Sequence, residues 1–96
     1  MAKGYWIAFY RSVSNATALS EYAKLAGPAI EARGGRILSR GVAVKAYEAG
    51  VKERTVVIEF DSVEKAIAAY ESQEYQAVKK LLDGAVERDV RFLEGS

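Results

Sequence analysis

Charge and proton chemistry in this chain rest on 14 Lys plus Arg, 13 Asp plus Glu and six tyrosines. His and Cys are absent. Imidazole bases, thiolate nucleophiles and the nitrogen and sulfur ligand sets of zinc are therefore excluded, and no metal site is expected. Acid-base work falls to carboxylates and phenols. Two residues stand out by position. Glu59 lies within Arg54-Thr55-Val56-Val57-Ile58-Glu59-Phe60, the most β-prone run in the chain, where a carboxylate is costly unless paired. Arg40 falls on the preceding strand with the same orientation by simple alternation, and is its expected partner. In one reading Arg40 anchors a small organic acid and Glu59 accepts a proton or a hydrogen bond. In the other, the two form a structural ion pair that sets the register between subunits. Arg54 and Asp89, at strand ends, either rim a pocket or are solvated edge charges.

Two other motifs carry no chemistry. Gly34-Gly35 precedes a strand instead of a helix, so it is no phosphate cradle, and Ser72 has no histidine to activate it. Tyr22, Tyr70 and Tyr75 lie on apolar helix faces, as core residues with hydroxyls at an edge or as the lining of a ligand cavity.

The elements that must position these groups are legible from hydrophobic periodicity. Tyr5 to Tyr10 reads as a strand buried on both sides. Ser14 or Asn15 caps a helix running to about Arg33, with a bend expected at Gly27-Pro28, where proline leaves the Lys24 carbonyl without a donor. Arg36 to Arg40 forms a strand, Gly41 marks a bulge, Val42 to Glu48 continues extended, and Ala49-Gly50-Val51-Lys52 makes the hairpin turn. Strand Arg54–Phe60 ends at Asp61-Ser62, with a capping box expected between Asp61 and Glu64. Ser72 offers a second cap, so the following helix is broken in two. Val86 to Leu93 supplies the last strand. Strand, helix, strand, strand, broken helix, strand is the split βαβ order: an α+β, ferredoxin-like βαββαβ sandwich in one domain over residues 1–96.

A net charge of +1 spread along the chain leaves no basic stripe for nucleic acid. An RNA-recognition module shares the strand order, but here its third strand would display Val57 and Glu59 in place of stacking aromatics. No apolar run approaches the ~20 residues of a membrane helix, and Met1-Ala2-Lys3-Gly4 leads straight into a strand, so a cytoplasmic location without membrane partners is the expectation.

Alternation divides the sheet into two faces. Trp6, Ala8, Tyr10, Val56, Ile58, Phe60, Val90 and Phe92 form the helix-facing set. The opposite parity holds Tyr5, Ile7, Phe9, Leu38, Arg40, Thr55, Val57, Glu59, Asp89, Arg91 and Leu93, which the helices cannot also cover. Leaving its six apolar members wet forgoes on the order of 10 kcal/mol. The expected cover is a second copy of the chain, packed face to face about a two-fold axis. Tyr5 and Phe9 join Arg40, Arg54 and Glu59 as candidate ligand contacts.

Lys3-Gly4-Tyr5-Trp6-Ile7, Gly34-Gly35-Arg36 leading to Arg40-Gly41, Val57-Ile58-Glu59-Phe60, Glu74-Tyr75-Gln76 and Glu94-Gly95 resemble a small bacterial family, the domain of unknown function 1330. That family lies within the dimeric α/β-barrel superfamily. The resemblance spans nearly the whole chain and implies a ferredoxin-like fold whose sheets pair across a homodimer, without implying a reaction. Superfamily relatives include cofactor-independent monooxygenases, muconolactone isomerase-like enzymes and haem-handling proteins. Haem ligation through an axial His is closed to a chain without His, and no cofactor is expected. Phe9 stands where family members often carry a basic residue, and Val42 where Gly is common, which implies a more apolar pocket. The reading is a binding protein for a small acidic or aromatic molecule. The alternative is a cofactor-independent isomerase or monooxygenase that uses Glu59 as acid or base.

Overall fold

The computed structural model describes residues 2–96. Strands β1 (Gly4–Val13), β2 (Arg36–Val42), β3 (Arg54–Phe60) and β4 (Val86–Glu94) form one antiparallel sheet in the order β2-β3-β1-β4. Helix α1 (Ala16–Glu31) connects β1 to β2, and α2 (Val63–Glu71), α3 (Gln73–Lys79) and a 3₁₀ turn over Lys80–Leu82 connect β3 to β4. Among the described residues, no helix is long and apolar enough to cross a membrane.

The helices start where side chains satisfy free backbone donors. Asn15 accepts the Ala18 N–H at 3.0 Å, and Ser62 accepts that of Lys65 at 3.2 Å. The cap of α2 is thus Ser62, and the box expected between Asp61 and Glu64 does not form. Asp61 is engaged instead by Lys3, Arg36 and Lys65. Ser72 divides the second crossover as expected. Its buried hydroxyl donates to the Ala69 carbonyl at 2.7 Å and accepts from the Tyr75 N–H at 3.2 Å, closing α2 and opening α3 with one side chain. Gly34, at φ 90°, lets the chain leave α1 and turn into β2. Helix α1 runs unbroken through Pro28, so the bend expected there does not interrupt it.

Packing follows the predicted parity. Trp6, Ala8, Tyr10, Val56, Ile58 and Phe60 are buried beneath the helices, with Val90 and Phe92 packed against them. Trp6 meets Tyr75 and Tyr70 edge-on at 4.8 and 5.3 Å between ring centroids and tilts against Phe92 at 5.7 Å. Pairs of this geometry contribute about 0.5–1.5 kcal/mol each beyond their burial. Gly4 begins β1 against the backbone of Val63 at the start of α2, with no room for a Cβ.

Three departures lie on the β2–β3 hairpin. The strand ends at Val42 and residues 43–53 form a loop, so the extension to Glu48 is not seen. The turn closes through Gly50 N–H donating to Tyr47 O at 2.9 Å, with Glu48 at φ 54°, earlier than expected. The register shift lies between Ile37 and Ser39, and not at Gly41. One extra residue there reverses the facing of everything after it. This moves Arg40.

Candidate functional site: an arginine- and tyrosine-lined cavity

The extra residue places Arg40 opposite Val56, a buried residue of the helix-facing side. The expected Arg40–Glu59 pair therefore does not form. Glu59 lies on the open face, opposite Arg36, whose Nε donates to its Oε1 at 3.1 Å. The Tyr5 hydroxyl donates to the other carboxylate oxygen at 3.1 Å, and Arg36 also reaches Asp61 at 3.2 Å. The Arg36 guanidinium, with Tyr5, holds the Glu59 carboxyl below its ordinary value, while the Glu59 carboxylate pushes the Tyr5 phenol up. Phe9, 37 % exposed, also lies on the open face, beneath the Arg91 guanidinium at 5.7 Å.

A group whose folded pKa is depressed adds stability above its ordinary value, about 4.5 for Glu59, and loses it as pH falls through the folded value. Glu59→Gln should therefore flatten the acid limb of stability. Urea midpoints measured from pH 7 down to pH 3 check this, the variant falling less steeply than the parent below pH 4.5.

The other side of the sheet is different in kind. A half-open cavity of about 30 Å³ lies between α1 and the strands. That is room for about two waters, or for the head group of a small acid. Its existence follows from small side chains facing each other: Ala8 lies opposite both Val56 and Val90 in the sheet, and Ala23, Ala26 and Gly27 look back from α1. Charge enters from three strands. Arg40 comes from β2, Arg54 from β3 and Arg88 from β4, where it lies opposite Tyr10.

Arg88 is the best-held of the three. It donates to the Tyr75 hydroxyl at 2.7 Å and, at 3.4 Å, to those of Tyr10 and Tyr22. Its guanidinium lies 5.6 and 5.5 Å from the Tyr10 and Tyr22 ring centroids, and that of Arg54 lies 5.8 Å from Tyr10. Tyr22 and Tyr75 share a buried 2.7 Å hydrogen bond. Burial pushes the Tyr75 and Tyr10 phenols up, so both stay protonated at neutral pH. Arg33, Arg36 and Arg91 each find a carboxylate. Among the described residues Arg40, Arg54 and Arg88 do not. Arg54 Nε and Trp6 Nε1 are in addition buried without any hydrogen-bond partner, and both residues line the cavity.

The structure thus splits the candidate set. Arg40 and Arg54 converge on the cavity, whereas Glu59, Tyr5 and Phe9 occupy the opposite face, and Asp89 is held by Arg91 at 2.8 Å. Arg88 and Arg36 are absent from that set. Arg88 was readable, because it shares parity with Val90 and Phe92 and is a charge at an inward position. Tyr22 lines the cavity, as one of its two readings allows.

The model of the family described as Domain of unknown function (DUF1330) matches residues 3–96. The chain belongs to the DUF1330 family. Among solved structures, this DUF1330 chain is similar to a protein of unknown function from Rhodopseudomonas palustris, with TM-score 0.73 and 17 % identity over 96 % of this chain and 81 % of that one. It is similar to an ethyl tert-butyl ether d (ethd) family protein from Bacillus halodurans, with TM-score 0.68 and 19 % identity over the whole of both chains. A third is described as a dimeric ferredoxin-like protein of unknown function from Thermobifida fusca, with TM-score 0.65 and 16 % identity over 96 % of this chain and 90 % of that one. At these identities the likeness establishes a ferredoxin-like fold. No curated protein matches the sequence.

Proposed function

We propose that this DUF1330 protein binds a small organic acid in the cavity between α1 and the sheet, with the acid's anionic group received by Arg40, Arg54 and Arg88. The observation that carries this is the convergence of these guanidiniums on an apolar cavity without a carboxylate partner. Unpaired charge beside buried apolar surface is costly for the partly buried Arg54 and Arg88, Arg40 being exposed, and an anionic ligand offsets that cost with charge-assisted hydrogen bonds. An isomerase or monooxygenase working through Glu59 draws no support from its surroundings, since that carboxylate is held by Arg36 and Tyr5 on the other face.

The test is calorimetric titration and thermal unfolding with a panel of small aliphatic and aromatic carboxylates. A ligand at a hundred times its dissociation constant should add about 2.7 kcal/mol of stability. Absence of any heat or shift at millimolar concentration across the panel overturns the proposal. The protein also self-associates in this reading, through the face bearing Tyr5, Ile7, Phe9, Leu38, Val57 and Leu93. Leu38 and Leu93 are 55 % and 54 % exposed in the single chain, and the Thermobifida fusca relative is described as dimeric.

A further inference from the structure

The hydrogen-bond inventory of the cavity determines more than the sign of its ligand. Tyr75 accepts from Arg88 at 2.7 Å and shares its other short bond with Tyr22. Either hydroxyl of that pair can be the donor, and one of the two protons is left without an acceptor among the described residues. With Tyr75 donating to Tyr22, the free proton is that of Tyr22, the one of the pair that lines the cavity. The same holds for Tyr10, whose oxygen accepts from Arg88 and whose proton has no acceptor among the described residues. Arg54 Nε–H and Trp6 Nε1–H are unpartnered, and Trp6 is only 1 % exposed. A buried donor left without a partner costs about 1–3 kcal/mol, and several of them around one space point to an acceptor that belongs there.

The rest of the lining is Ala, Gly, Val and Ile together with Arg40, and it contains no Asp, Glu, Asn, Gln, Ser or Thr. The cavity's side-chain acceptors are only the Tyr10 and Tyr22 oxygens, both of which already accept from Arg88, so it presents mainly donors. A ligand oxygen carrying a proton would meet mostly N–H and O–H groups, with only those tyrosine oxygens for its own hydrogen. The anionic oxygen of the same ligand would satisfy them.

Resting on the acid-binding reading above, we infer that the cavity takes the oxygen end of a phenol, a weak acid neutral in water at pH 7, and holds it as the phenolate with the ring toward the open side. The step is loss of a proton alone. The O–H bond breaks heterolytically, the electron pair stays on oxygen, and the proton leaves to solvent through the open side, there being no base in the lining. Such a site lowers the pKa of its ligand by hydrogen bonding to the charged form.

The experiment uses 4-nitrophenol, whose neutral and ionised forms absorb differently, and 4-nitrobenzoate, which is ionised throughout. The intact protein should bind both, and the apparent pKa of bound 4-nitrophenol should fall by about one unit or more, a tenfold preference for the anion. Tyr22→Phe should remove part of that shift, and Tyr10→Phe serves in its place if Tyr22→Phe does not fold. Binding of 4-nitrobenzoate with 4-nitrophenol unbound, or bound but titrating at its free value, overturns the inference and leaves the carboxylate reading standing. A shift retained in full by both tyrosine variants overturns the assignment to these hydroxyls. Binding of neither probe overturns the phenolate inference, and the carboxylate panel then decides the acid-binding reading.

Discussion

Replacing Arg88 by Met is expected to weaken binding of a small carboxylate by about 10- to 100-fold, measured by calorimetry. Hydrogen bonds to charged groups are worth about 1.5–3 kcal/mol, which converts to a factor of that size. Arg88 holds a charge in the wall of the cavity and donates to three tyrosine hydroxyls, at 2.7 Å for Tyr75 and 3.4 Å for Tyr10 and Tyr22. Met keeps the length of the stem and its packing against the rings. The unliganded variant should unfold within about 1 kcal/mol of the parent, because the burial cost of a guanidinium without a counter-ion cancels much of what its hydrogen bonds contribute. That contrast separates loss of a site from loss of the fold. Equal affinity in Arg88→Met and the parent would remove Arg88 from the site. Arg54→Met should act in the same direction, since its buried Nε–H has no partner to lose within the chain.

Val57→Glu is expected to dissociate the proposed homodimer, raising its dissociation constant by about 1,000-fold or more. Val57 lies at the middle of the open face, opposite Ile7 on β1 and Ser39 on β2. Neither carries a charge that could neutralise a new carboxylate, and the neighbouring Glu59 already belongs to Arg36. A two-fold interface meets the change twice. An uncompensated buried charge costs several kcal/mol, so two of them exceed the ~4 kcal/mol that a factor of 1,000 requires. The single chain should tolerate the substitution, because Val57 is half-buried there and α1 and α2 lie on the other side. Sedimentation at micromolar concentration reads the outcome. A parent chain that sediments as a monomer removes the dimer, and a Val57→Glu protein that remains dimeric places the interface elsewhere.

Most of the fold was open to inspection in one dimension. Side-chain alternation on β1, β3 and β4 assigned Trp6, Ala8, Tyr10, Val56, Ile58 and Phe60 to the core, and they are buried. Local hydrogen-bonding chemistry also carried through. Asn15 caps α1, and Ser72 breaks the second crossover because one hydroxyl serves two helix ends. These features depend on residues within a few positions of each other, or on a parity that runs unbroken along a strand. The shortage of proton-transfer chemistry was equally plain from the absence of His and Cys.

The arginine cavity was a tertiary decision. A bulge inserts one residue into a strand, and where it falls depends on how that strand meets its partner and on the twist of the pair. Gly41 looked suited to it, yet the shift lies between Ile37 and Ser39, and that offset carried Arg40 through the sheet from the side of Glu59 to the side of α1. The partner left for Glu59 was Arg36, which precedes the shift and keeps its parity. Arg54 and Arg88 are 34 positions apart, yet both approach the Tyr10 ring because their strands flank β1. Periodicity along a chain reports which side of its own strand a residue occupies. Which three guanidiniums share a space without a carboxylate is settled only when strands from distant parts of the chain are laid in register.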